Sequence, residues 1–71
     1  MSDEKFLLTI GTKVKQIRLA KNISQIKLAT DCDFDKASMS RIESGQTNPT
    51  VLTLRKISKA LNVSISDFFE D

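Results

Sequence analysis

Lys36, Ala37, Ser40 and Arg41 lie in the run DKASMSRIESGQTNP, residues 35–49. On a helix these four share one side with Ser44, while Met39 and Ile42 fall on the other. The outward stripe is therefore small side chains flanked by two long cations. Ammonium and guanidinium groups only donate hydrogen bonds, so such a stripe suits an anionic surface rich in acceptors. Small side chains let a helix enter a groove about 12 Å wide, such as the DNA major groove, and Lys and Arg can then donate to guanine O6 and N7. The competing reading is an ordinary solvated helix face.

Other chemistry is poorly supplied. The 71 residues include no His, Trp or Tyr. A chain of this length makes at most one domain, residues 1–71, and its thin core leaves little room for a substrate pocket. No catalytic residue, metal ligand set or cofactor is implied, and an enzyme is not expected. Cys32 stands alone and so forms no internal disulfide, which points to a reducing interior. It reads as a small core residue rather than a redox sensor. No apolar run approaches the roughly 18 residues of a membrane span, and MSDEK at the N-terminus does not read as a secretory leader. A cytoplasmic site is expected.

The formal net charge is only +2, but it is unevenly spread. Lys5, Lys13, Lys15, Arg18, Lys21 and Lys27 all precede Asp31, whereas Asp67, Glu70 and Asp71 close the chain. A basic sector suits a polyanion partner and equally a solvated face with surplus lysine, and charge alone does not separate the two.

Helices must position these groups. Leu7, Ile10, Val14 and Ile17 recur at three- and four-residue steps, which predicts an amphipathic helix over about 5–21 with Asn22 as a left-handed stop. Ser24 is the expected N-cap of a second helix that buries Leu28, Ala29 and Cys32 and ends at a left-handed Asp33. Asp35 caps the third helix, with Phe34 and Met39 spaced as a hydrophobic staple and Gly45 closing the far end. Pro49 keeps Asn48 extended. Thr50 caps a fourth helix with Val51, Leu54, Ile57 and Leu61 inside, and Ser64 with Asp67 forms a capping box for a fifth that carries Phe68 and Phe69. The expected fold is all-α: five short helices around one core, with the second and third forming a helix-turn-helix over about 24–45.

With these elements in place, the sequence resembles the phage repressor/Cro-like (lambda-repressor-like) helix-turn-helix family and, within it, small restriction-modification controller proteins. The resemblance rests on Ile10, Gly11, Val14, Ile17 and Arg18; on SQIKLA from Ser24 to Ala29; on the spacing of Ser38, Ser40, Arg41, Ile42, Glu43, Gly45 and Pro49; and on TLRKISKALNVSISDFF at the end. It spans about residues 8–69. It implies a sequence-specific DNA-binding transcriptional regulator of bacterial or phage origin, a homodimer on a palindromic operator. Lys36, Ala37, Ser40 and Arg41 would read bases. Gln25, Lys27, Ser44, Thr47 and Asn48 would touch the sugar-phosphate backbone, Gln25 where the second helix offers free amides to a phosphate. The sequence departs from the pattern in having Ile26 and Lys27 where an acid is common in the first turn, Asp33 for the turn glycine and Asn22 for the glycine after the first helix. A lysine in a first turn opposes the helix dipole.

Arg18 and Glu43 hold positions that pair across helices in the resembling family; by themselves they also read as independent surface charges. Phe68 and Phe69 are adjacent, so one is expected to face the core and the other to join a dimer contact. A second functional class stays open: a protein-interaction module on the same fold, an antitoxin or adaptor. The discriminating feature is the outward stripe, which is cationic where a protein-binding stripe would be apolar.

Overall fold

The computed structural model describes residues 2–69, so the acidic residues Glu70 and Asp71 lie outside the described part. The elements are α1 (Asp3–Ala20), α2 (Gln25–Asp31), α3 (Lys36–Glu43), α4 (Val51–Leu61) and a 3-10 helix (Ile65–Phe69). The all-helical architecture is as expected, with one difference: the fifth helix is a 3-10 turn of five residues rather than an α-helix. The capping box that was to start it forms by half. Asp67 accepts from the Ser64 N–H at 3.2 Å, while the Ser64 hydroxyl accepts from Ser66 N–H at 3.3 Å, one residue short of the α-helical spacing. That shorter reach fits the tighter winding.

Each α-helix starts on a hydroxyl or carboxylate. Ser24, Asp35 and Thr50 have extended backbones and accept from the N–H three residues on. Ser2 does the same for α1, which therefore begins two residues earlier than the apolar periodicity alone suggests. Each helix ends on a left-handed residue: Asn22 at φ 58°, Asp33 at 59°, Gly45 at 74° and Asn62 at 58°. The N–H two places past the last helical carbonyls folds back each time, as with Phe34 to Ala29 O at 2.8 Å and Gln46 to Arg41 O at 2.9 Å. These closures turn the chain sharply with the orphan carbonyls satisfied, which lets four helices fit into so short a sequence.

Val14, Leu28, Met39, Ile57, Leu61 and Phe68 are the largest fully buried side chains, drawn from every element. Phe34 packs against this core beside the start of α3. Cys32 is buried, and burial first and Asp31 second push its thiol up from the ordinary value, which keeps it protonated. Val51 was expected inside, but it is 72% exposed, because the first turn of α4 projects past the core. Gly11 is where α1 crosses α3 backbone to backbone: a Cβ there would run into the Ile42 carbonyl and come within 2.7 Å of the Glu43 carbonyl oxygen.

Candidate nucleic-acid interface

The entry to α3 is a short polar chain. The Asp35 carboxylate accepts from Ser38 N–H at 2.6 Å, and an Arg41 terminal nitrogen donates to the Ser38 hydroxyl at 3.4 Å. The Ser38 hydroxyl, then its backbone N–H, and further off the Arg41 charge hold the Asp35 carboxyl below the usual carboxylate range. The cap fixes how α3 leaves the turn, and Met39, Ile42 and Glu43 are buried beneath it.

Burial splits α3 cleanly. Lys36, Ala37, Ser40, Arg41 and Ser44 are exposed, and every residue between them is buried or half-buried. Arg41 also lines an open cleft with Ser38, Thr47, Asn48, Pro49 and Thr50. The stripe and the loop after it thus meet at one cleft, which Phe34, Ile42 and Thr53 also line. Ser44 is partly committed: its hydroxyl donates to Ser40 O at 2.9 Å, leaving it as an acceptor, which a phosphate does not need.

The second expected cluster lies behind this surface. Arg18 donates from Nε to Glu43 Oε2 at 2.7 Å and from Nη2 to Oε1 at 3.0 Å. Its third nitrogen donates to Ile23 O at 2.9 Å, which ties α1 to the turn before α2. Both side chains are buried, so Arg18 is a structural clamp and is lost to the basic face it was counted with. Gln25 completes the cluster: its Nε2 donates to Glu43 Oε1 at 3.0 Å. Sequence reasoning missed this link, since only the tertiary fold brings the start of α2 to the end of α3. Among the described residues every buried side-chain nitrogen and oxygen has a partner.

The N-terminus of α2 is less open than expected. The Lys27 N–H is taken by the Ser24 hydroxyl at 3.0 Å and the Leu28 N–H by Ser24 O at 3.0 Å. The Lys27 ammonium is paired with Asp31 one turn on, at 2.8 Å, on the exposed side of the helix. Partial neutralisation by Asp31 offsets the unfavourable lysine in the first turn.

Phe68 and Phe69 diverge. Phe68 is fully buried in the core and is corrected from contact to core residue, because the 3-10 turn points it inward. Phe69 is 47% exposed and stacks on Phe6, with ring centroids 6.1 Å apart. Phe6 is 45% exposed and was missed, as were Val51 and Leu52 at 72% and 69%. Two signals could have found them: Phe6 lies off the Leu7–Ile10–Val14 stripe, and of the adjacent Val51 and Leu52 at least one must face outward. Phe6, Val51 and Phe69 border one apolar groove with Leu7, Ile10 and Leu54 beneath. No group of His, Cys, Asp and Glu among the described residues could hold a metal ion, and no described helix is long and apolar enough to cross a membrane.

Comparison with known proteins agrees with this geometry. A family model described as helix-turn-helix matches residues 14–68. The control protein C.BamHI of Bacillus amyloliquefaciens is 47% identical over 64 residues, covering 89% of this chain and 79% of that protein. The restriction-modification controller C.AhdI of Aeromonas hydrophila superposes with a TM-score of 0.86 at 28% identity, over 89% of this chain and 96% of that one. The controller C.Esp1396I, solved as a tetramer on its natural 35 base-pair operator, superposes with a TM-score of 0.81 at 36% identity, over 90% of this chain and 84% of that one. Regulators and not enzymes make up these relatives, and the chain belongs to the helix-turn-helix family of transcriptional regulators and controller proteins.

Proposed function

We propose that this regulator binds double-stranded DNA as a homodimer, with α3 in the major groove of each half-site. The observation that carries the reading is the division of α3 and its C-cap into an exposed Lys36–Ala37–Ser40–Arg41–Ser44 stripe over a buried Met39–Ile42–Glu43 side. A stripe of small residues between two cations suits an acceptor-rich groove. Lys36 and Arg41 reach base edges, while Ala37 and Ser40 allow close approach. Thr47 and Asn48, on the loop that follows, contact the backbone, as do Gln25 and Lys27 on α2; Ser44 adds little there. The operator-bound tetramer of C.Esp1396I supports the same partner and binding by more than one copy. The exposed Phe6, Val51, Leu52 and Phe69 form the face through which two copies meet. The protein acts as a single helix-turn-helix domain in the cytoplasm of a bacterium or phage host.

Selection from random duplex DNA followed by sequencing tests this. The expected result is a twofold-symmetric motif with half-site centres about one helical turn apart. Recovery of no enriched motif, with anisotropy titrations showing no binding to any duplex, would overturn it and favour a protein partner.

A further inference from the structure

Glu43 is buried, yet it accepts a bond from Gln25, a half-buried residue that begins α2, the helix packed against α3. The Glu43 carboxylate takes three donors: Nε and Nη2 of Arg18 and Nε2 of Gln25. A glutamine amide nitrogen carries two hydrogens. One is fixed on Glu43, which sets the plane of the amide and turns the oxygen away from the carboxylate. Among the described residues the other hydrogen has no acceptor, and the half-buried side chain leaves it for a group outside. A glutamine without such an anchor samples several rotamers and loses that freedom on binding.

We propose that Glu43 is a positioning residue for DNA, holding the Gln25 amide so that its second N–H meets a backbone phosphate. The inference rests on the DNA-binding reading above and deepens it. Arg18 and Glu43 offset each other's charge at 2.7 Å, so the cluster presents a neutral, oriented donor. The contact therefore displaces no counterion. Counterion release follows the Lys and Arg charges at the interface, so a Gln25 contact adds affinity without adding to the salt slope. Lys27, close by on the same helix, behaves in the opposite way, because it brings a charge. This also gives the buried pair a role in binding beyond its role in the fold: the clamp that packs α1 on α3 sets the grip of α2.

The test is a double-mutant cycle against a random-sequence duplex of about two helical turns, for which no operator is needed, with affinity measured over a range of salt and each variant's melting followed in parallel. Gln25→Ala is expected to weaken binding by roughly three- to tenfold, the range for one net hydrogen bond, with the log-log salt slope unchanged. In a Glu43→Leu background, which has no acceptor for the Gln25 amide, the same substitution is expected to change binding less than about twofold, since the amide is already unanchored. Gln25→Asn, one methylene shorter, is expected to bind as Gln25→Ala does, because it cannot span carboxylate and phosphate together. This third variant keeps the test alive if Glu43→Leu fails to fold. Equal losses in both backgrounds, parental affinity for Gln25→Asn, or a salt slope lowered by about one in Gln25→Ala would each overturn the proposal. A parent that binds no duplex at all would instead overturn the DNA-binding reading beneath it.

Discussion

Two cations in this molecule differ in what they are free to do. Among the described residues Arg41 makes one side-chain hydrogen bond, a long one to Ser38, and projects from the outer side of α3. Its planar fork can meet guanine O6 and N7 together, which is worth about 1–3 kcal/mol of discrimination at one base pair. Arg41→Ala is therefore expected to flatten preference at one base pair per half-site while leaving affinity for random DNA largely intact. A competition series with each operator base pair replaced in turn reads this directly. An equal loss on all sequences would make Arg41 a backbone clamp and leave the reading to Lys36 and Ser40. Lys27 is held by Asp31 at 2.8 Å, an exposed pair of the kind worth about 0.2–1 kcal/mol. A phosphate can displace so weak a partner. Lys27→Ala should lower affinity for cognate and random DNA by similar factors and reduce the salt slope by about one. Asp31→Asn should do the reverse, tightening binding to every duplex by freeing Lys27 and removing a negative charge from the interface. If titrations find Asp31→Asn no tighter than the parent, the pair does not compete with DNA. The exposed side of α3 was legible in the sequence because a helix wheel is a local property. The Gln25–Glu43 bond was not, because eighteen residues separate its ends and no period connects them.

At the level of elements, the helix ends carry most of what the sequence made readable. Ser24, Asp35 and Thr50 at the starts and Asn22, Asp33 and Gly45 at the ends act through neighbours three or four residues away, so residue type suffices to find them. The 3-10 winding of the last helix and the exposure of Val51 depend on where the core surface stops, which no local pattern records. Among the described residues Asp33, at φ 59°, has no side-chain hydrogen-bond partner that would repay its left-handed backbone. Asp33→Gly is expected to raise Tm by relieving that strain, and Asp33→Ala to cost about 1–2 kcal/mol. Thermal melts of the two variants should fall on opposite sides of the parent. Gly11→Ala acts on a different link. Its Cβ meets carbonyls of Ile42 and Glu43, which are backbone and cannot swing aside, so α3 must move off α1. A loss of at least about 1–3 kcal/mol is expected, with DNA affinity falling alongside because Arg18–Glu43 spans the same crossing. The Asp35 cap adds a pH term. Its folded pKa lies below the ordinary carboxylate value, so its contribution is present above that value and is lost as pH falls through the folded pKa. Asp35→Asn, which keeps a capping oxygen, should make Tm fall less steeply on the acid side. Parallel acid limbs in the two melting series would show that the carboxylate charge contributes nothing.

For the molecule as a whole, the two adjacent phenylalanines separate folding from assembly. Phe68 is wholly buried, and Phe68→Ala is expected to cost about 3–5 kcal/mol, close to the full stability of so small a core. Phe69 is 47% exposed, stacks on Phe6 at 6.1 Å, and borders the face that includes Val51 and Leu52. One protomer's share of a standard interface is about 800 Å², a sixth or so of the 4616 Å² that the protomer exposes. A body with extents of 31 × 22 × 20 Å, paired through that face, can set two copies of α3 at a separation comparable to one DNA turn of about 34 Å. Phe69→Ser should therefore leave the helical fold intact and shift the protein from dimer to monomer in sedimentation. Because a dimer is stabilised by mass action, the parent's Tm should rise with protein concentration and that of Phe69→Ser should not. On DNA, the variant should lose far more affinity for a two-half-site duplex than for a single half-site, since the linkage between sites is what it removes. A parent that sediments as a monomer at high concentration would sink the assignment of this face, and the duplex itself would then have to bring two independent copies together.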